Sequence, residues 1–90
     1  MPDYKVSFTE RSLDDLNDLP DAVFERIRKA CKRLESNPVP DGKHIKKLRG
    51  YQELYRLRIG DYRAVFQWTG NTITIIIIRI LSKPDFQKKY

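Results

Sequence analysis

The 90 residues predict a single α+β domain, with one strand, two helices and then a three-stranded antiparallel meander, the helices gathered on one face of the sheet. Three observations carry that expectation. Apolar spacing is helical between Leu13 and Leu34 and changes to a period of two near Leu54. The segment Asn37-Pro-Val-Pro-Asp-Gly42, with two prolines and a glycine, separates the two regimes. Gly60-Asp61 and Gly70-Asn71 then divide the second half at hairpin spacing.

Taken in order, Tyr4 to Phe8 alternates apolar and polar residues and reads as a short strand. Thr9 is an N-cap for a helix through about Asp18, with Leu13, Leu16 and Leu19 at helical spacing. Pro20-Asp21 breaks and restarts the chain. The second helix runs to about Ser36 and buries Val23, Ile27, Ala30, Cys31 and Leu34. Arg26, Arg28, Lys29, Lys32 and Arg33 occupy its other sides and read as a solvated face. Lys43 to Gly50 is basic and reads as irregular. Leu54–Ile59, Tyr62–Trp68 and Thr72–Leu81 read as strands joined by the two glycine-containing linkers, each of two residues. The tail from Ser82 to Tyr90 is polar and basic and receives no element. One face of the sheet is thereby left open for function.

Composition narrows the class. A hydrophobic content of 40% supports one core, and no repeat or composition shift divides residues 1–90. Cys31 is the sole cysteine, which precludes an internal disulfide, and its place in the apolar stripe marks a small buried hydrophobe. His44 is the sole histidine, so neither a metal site nor a cofactor is expected. The apolar run Ile73–Ile78 is too short to span a bilayer, and no apolar stretch follows the opening charges as in a secretory leader. A cytoplasmic location without membrane contact is therefore expected. The net charge of +6 points to a polyanionic partner, although an acidic protein or a plain solvated surface would accommodate it equally.

The distribution of charge favours the polyanion. Between Lys43 and Arg63 stand seven basic residues (Lys43, Lys46, Lys47, Arg49, Arg56, Arg58 and Arg63) against two acids, Glu53 and Asp61. If Gly60-Asp61 is a two-residue turn, Arg58 lies directly opposite Arg63, with Arg56 two positions away on the same face. Like charges paired across strands destabilise a sheet. Three arginines there suit a run of phosphates, which guanidinium forks grip. The competing expectation is that they pair with Glu53, Asp61, Asp85 or the C-terminal carboxylate.

The run Lys47-Leu-Arg-Gly50 followed by Tyr55-Arg-Leu-Arg-Ile-Gly-Asp-Tyr-Arg-Ala-Val-Phe66 resembles the RelE/ParE toxin superfamily, and the resemblance covers essentially the whole chain. It implies a RelE-like fold, an antitoxin encoded beside it, and cleavage of mRNA in the ribosomal A site, with the ribosome and mRNA as further partners. Arg56 and Arg58 fall where RelE-like nucleases place basic residues on the strand after the loop, and Arg63 matches the arginine after the hairpin tyrosine. Arg79 also matches. Lys83 stands at a family arginine, Ser82 replaces a common histidine, and Gln87 takes a tyrosine position between Phe86 and Tyr90.

The resemblance implies a catalytic set of Arg63, Lys83 and Arg58, with Arg63 stabilising the phosphorane and Lys83 as general acid. It implies an RNA-phosphate surface of Arg56, Arg58, Lys46, Lys47, Arg49 and Arg79, with Phe86 and Tyr90 available to stack on bases. Arginine stays protonated and makes a poor base, so Arg56 and Arg58 are read as phosphate clamps. No general base is evident, since His44 falls in the segment read as irregular. Two alternatives remain open, a ParE-like inhibitor of DNA gyrase without nuclease chemistry and a non-toxic basic nucleic-acid-binding module.

Overall fold

The order of elements holds in a computed structural model, which describes residues 3–90. Met1 and Pro2, part of the opening segment read above, lie outside the described residues. The elements are β1 (Lys5–Phe8), α1 (Glu10–Asn17), α2 (Asp21–Lys32) with a 3-10 turn at Arg33–Glu35, β2 (Ile45–Lys47), β3 (Leu54–Ile59), β4 (Tyr62–Gln67), β5 (Thr74–Ser82) and α3 (Lys83–Lys89). The five strands form one sheet in the order β1-β5-β4-β3-β2.

Local chemistry explains the helices. Thr9 caps α1, its Oγ1 accepting the Ser12 N–H at 3.1 Å, and the Ser12 hydroxyl donates back to the Thr9 carbonyl at 2.9 Å. That bond lets Ser12 turn inward, while Leu13, expected in the core, is exposed. Leu16, Ile27, Cys31 and Leu34 pack beneath the sheet against Leu57, Ala64, Phe66, Ile75 and Ile77. Burial pushes the Cys31 thiol up to about 12, so it stays protonated and inert.

Four expectations are corrected. First, Ile45–Lys47 is a strand, β2, paired antiparallel with β3. It carries one inward residue, too few to show a period of two. Second, Ser82–Tyr90 is a capped helix: the Ser82 hydroxyl accepts the Asp85 N–H at 3.3 Å, and Pro84 lies in the first turn. Third, Gly70-Asn71 is not a two-residue link, because β4 ends at Gln67 and residues 68–73 lead to Thr74. A bulge between Val65 and Phe66 shifts the β4–β5 register as well. Fourth, the sheet is mixed, since β1 runs parallel to β5 with Val6 beside Ile75. β5 therefore lies between two strands, which accounts for its near-continuous apolar run.

The second face of the sheet is not fully open. Val65 and Leu81 point away from α1 and α2, yet are 0% and 8% exposed. α3 packs over β4 and β5 there. Its Phe86 and Tyr90 rings stack at 5.5 Å, and Tyr90 meets Tyr51 edge-on at 5.5 Å.

Asp15 ties α1 to β5. Past the end of β1, its Oδ2 accepts the Ile80 N–H at 2.9 Å and the Arg79 Nε at 2.9 Å. Asp15→Ala leaves both donors without this partner and should destabilise the fold by about 2–4 kcal/mol. Asp15→Asn, which keeps an acceptor for Ile80, should cost less. Urea unfolding should show the midpoint lowered with its slope unchanged.

Candidate functional site

The β3–β4 hairpin builds the site. Gly60 has φ +57° and Asp61 stays at negative φ, the pattern of a type II′ turn. Ile59 pairs with Tyr62 and Arg58 with Arg63. Leu57, Ile59, Ala64 and Phe66 enter the core, which turns Arg56, Arg58 and Arg63 to the opposite face.

The three arginines differ in setting. Arg63 is 7% exposed, and its Nη1 donates to the carbonyls of Gly60 at 2.8 Å and Tyr62 at 2.9 Å. Trp68 Nε1 is the sole buried side-chain polar atom without a partner among the described residues. The other guanidinium nitrogens of Arg63 thus stay open to solvent. Arg56 is half-buried, and its Nη1 donates to the carbonyls of Lys43 at 3.2 Å and His44 at 3.0 Å. Arg58 is exposed.

None of the three forms an ion pair with Glu53, Asp61 or Asp85. Burial lowers the pKa of Arg56, and the charges of Arg63 and Arg58 lower it further. Burial and then Arg58 do the same to Arg63, with Asp61 offsetting part of it. The cluster is therefore a concentrated positive field that an anion would relieve.

The remaining candidates lie as follows. Lys46 stands opposite Arg56 and shares its face, whereas Lys47 pairs with Tyr55 on the other. Arg49 is exposed in the loop after β2. Arg79 shares the arginine face through its pairing with Val65, but its guanidinium bonds Asp15. Lys83 is exposed, and its N–H donates to the Asp61 carbonyl at 2.8 Å, which fixes the start of α3 beside the hairpin turn. Phe86 and Tyr90 already stack on each other. Burial raises the pKa of the Tyr90 hydroxyl, Tyr51 adds to this, and Arg79 opposes it.

Two further arginines join the site. A cavity of about 450 Å³ at the open edge of β3 is lined by Arg26 from α2 and Arg33 from the 3-10 turn after it, together with His44 and Arg58, and no acid lines it. Arg28 and Lys32 instead pair with Glu25 and Glu35. The signal for Arg26 and Arg33 was their spacing of seven residues, which puts them on one side of the helical segment formed by α2 and the 3-10 turn. No group of His, Cys, Asp and Glu residues among those described is arranged to hold a metal, and no described helix is long and apolar enough to cross a membrane.

A small mixed sheet thus carries α1 and α2 on one face and, on the other, α3 beside an arginine hairpin that no acid neutralises. The model of the ParE toxin of type II toxin–antitoxin systems matches residues 6–84, and the chain belongs to this RelE/ParE toxin superfamily. Within it, the chain is 39% identical over 85 residues to the putative toxin RelE1 of Methanocaldococcus jannaschii, covering 91% of each chain. The archaeal RelE–RelB complex from Pyrococcus horikoshii matches with a TM-score of 0.76 at 31% identity, over 90% of this chain and 96% of that one. The RelBE2 toxin–antitoxin complex of Mycobacterium tuberculosis gives a TM-score of 0.78 at 25% identity, over 91% of this chain and 99% of that one.

The difference between the arginines is measurable. Arg63→Ala removes two bonds to turn carbonyls and should destabilise by about 1–3 kcal/mol. Arg58→Ala removes only a repelling neighbour and should leave stability unchanged or raise it by up to about 1 kcal/mol. Chemical denaturation of the two variants separates a turn-holding arginine from a frustrated one.

Proposed function

We propose that this type II toxin is a ribosome-dependent mRNA endonuclease that a cognate antitoxin neutralises. The observation that carries the reading is the gathering of Arg56, Arg58 and Arg63 at one end of the sheet without an acidic partner. RNA cleavage through its own 2′-hydroxyl needs exactly such a field at the phosphate, because negative charge builds on the phosphorane oxygens. Arg63, fixed by the turn carbonyls, is preorganised to meet that charge. Arg56 and Arg58 grip flanking phosphates, with Lys46 and Arg49 extending the track. Lys83, anchored at the turn, protonates the leaving 5′-oxygen. Support for the antitoxin comes from the solved relatives, which include RelE–RelB complexes.

A second reading, a gyrase inhibitor without nuclease chemistry, is favoured by the ParE family model that matches the chain. Expression in cells distinguishes the two: rapid loss of mRNA marks the first, gyrase-dependent DNA damage the second. Under the first, ribosome binding should fall with salt, and Arg56→Ala and Arg58→Ala should each flatten the slope by about one unit. Lys83→Ala should slow single-turnover cleavage on programmed ribosomes by roughly 10² to 10⁴-fold with folding preserved. Co-expression with the neighbouring gene product should restore growth, and failure to form a stable complex would remove the antitoxin from this account.

A further inference from the structure

The reaction proposed above needs a base for the 2′-hydroxyl, and the edge of the sheet holds a group built for it. His44 immediately precedes β2. Its carbonyl accepts the Arg58 N–H at 2.7 Å and the Arg56 Nη1 at 3.0 Å, so its backbone is fixed beside both arginines. Its side chain is 58% exposed and lines the same cavity as Arg58. The imidazole Nδ1 lies 3.4 Å from Asp41 Oδ2.

Asp41 is itself held in place. Its Oδ1 accepts the N–H groups of Lys43 at 2.9 Å, His44 at 2.7 Å and Ile45 at 3.0 Å. The bonds from Ile45 and Lys43, then that from His44, hold its carboxyl well below the usual carboxylate range. Asp41 therefore remains an anion. An anion beside Nδ1 favours the tautomer with its proton there, which leaves the Nε2 lone pair free. The separation of 3.4 Å is long for a formed bond, as is common for catalytic contacts before substrate binds.

We infer that His44 is the general base of the proposed cleavage and that Asp41 is its positioning residue; the inference rests on the nuclease reading. Nε2 takes the 2′-hydroxyl proton as that oxygen bonds to phosphorus. The bond from phosphorus to the 5′-oxygen breaks, and the leaving oxygen takes a proton from the acid, Lys83. The products are a 2′,3′-cyclic phosphate and a 5′-hydroxyl end. The cavity suits the nucleotide that carries the attacking hydroxyl, with Leu34 and Leu57 apolar beneath a base and guanidinium groups for its phosphate. The charged groups around the imidazole are Asp41 and Lys43 from its own loop, Arg56 and Arg58 from β3, Arg26 from α2 and Arg33 from the 3-10 turn.

His44→Ala removes the imidazole and keeps the carbonyl that Arg56 and Arg58 bind. In single-turnover cleavage on programmed ribosomes it should cut roughly 10² to 10⁴-fold more slowly, with ribosome binding retained. Added imidazole should restore part of the rate. Asp41→Asn keeps an acceptor for the three backbone N–H groups. It should slow cleavage by less than His44→Ala does, with ribosome binding retained and the added imidazole giving no rescue. A wild-type rate in His44→Ala overturns the inference while the nuclease reading stands. Loss of ribosome binding in His44→Ala without imidazole rescue also overturns it, assigning the residue a structural role. If wild type does not cut, both readings fall together.

Discussion

The register of the β3–β4 hairpin is the constraint from which the site follows. One face of the pair, with Leu57, Ile59, Ala64 and Phe66, is sealed in the core. A slip of one residue would bring the arginines inward and the apolar side chains out. Burying each large apolar side chain stabilises by about 1.5–3 kcal/mol. The repulsion between Arg58 and Arg63 opposes this by only about 0.2–1 kcal/mol. Packing therefore wins, and the arginines stay together on the other face whether or not an anion is present. The core sets the geometry of the charge cluster, and the cluster in turn keeps an unrelieved demand for negative charge.

The hairpin was legible because its information is local. Alternation in Tyr55–Ile59 and Tyr62–Phe66, with Gly60-Asp61 between them, sufficed to place Arg58 opposite Arg63. What escaped was either nonlocal or too short. The parallel pairing of β1 with β5 joins residues such as Val6 and Ile75 that are far apart in sequence, and period-two patterning says nothing about strand direction. β2 was hidden by its length and its lysines. α3 carried a readable start in Ser82, Pro84 and Asp85, but the basic composition around it masked the cap. The same contrast holds in the site. Arg26 and Arg33 join Arg58 only because α2 runs past the edge of β3, and His44 gains a defined position only through Asp41 and two arginines.

α3 limits where a polyanion can approach. Phe86 and Tyr90 direct part of their aromatic surface at each other, and Tyr90 at Tyr51 as well. A base stacking on either ring meets that cluster rather than a free ring. Arg79 is similarly engaged with Asp15, so the middle of the face offers less free charge than its residue types suggest. The accessible positive groups lie instead at the hairpin and the β2–β3 edge, where Arg58, Arg26 and Arg33 line one cavity with His44.

That asymmetry bears on the choice between nuclease and gyrase inhibitor. The fold is common ground, since a ParE family model and RelE relatives match the same chain. A protein that only docks on another needs a complementary surface, and exposed charges on flexible side chains provide one. Chemistry at phosphorus makes a stricter demand, for donors already fixed where charge will develop. Arg63 fits it, buried and tied to two turn carbonyls, and the Asp41 carboxylate beside His44 is likewise held by three backbone bonds. Immobilising charged groups in this way adds nothing to a docking surface, whereas it lowers the reorganisation that a phosphoryl transition state would otherwise require. The rigidity of the hairpin end, more than its net charge, is what favours the nuclease.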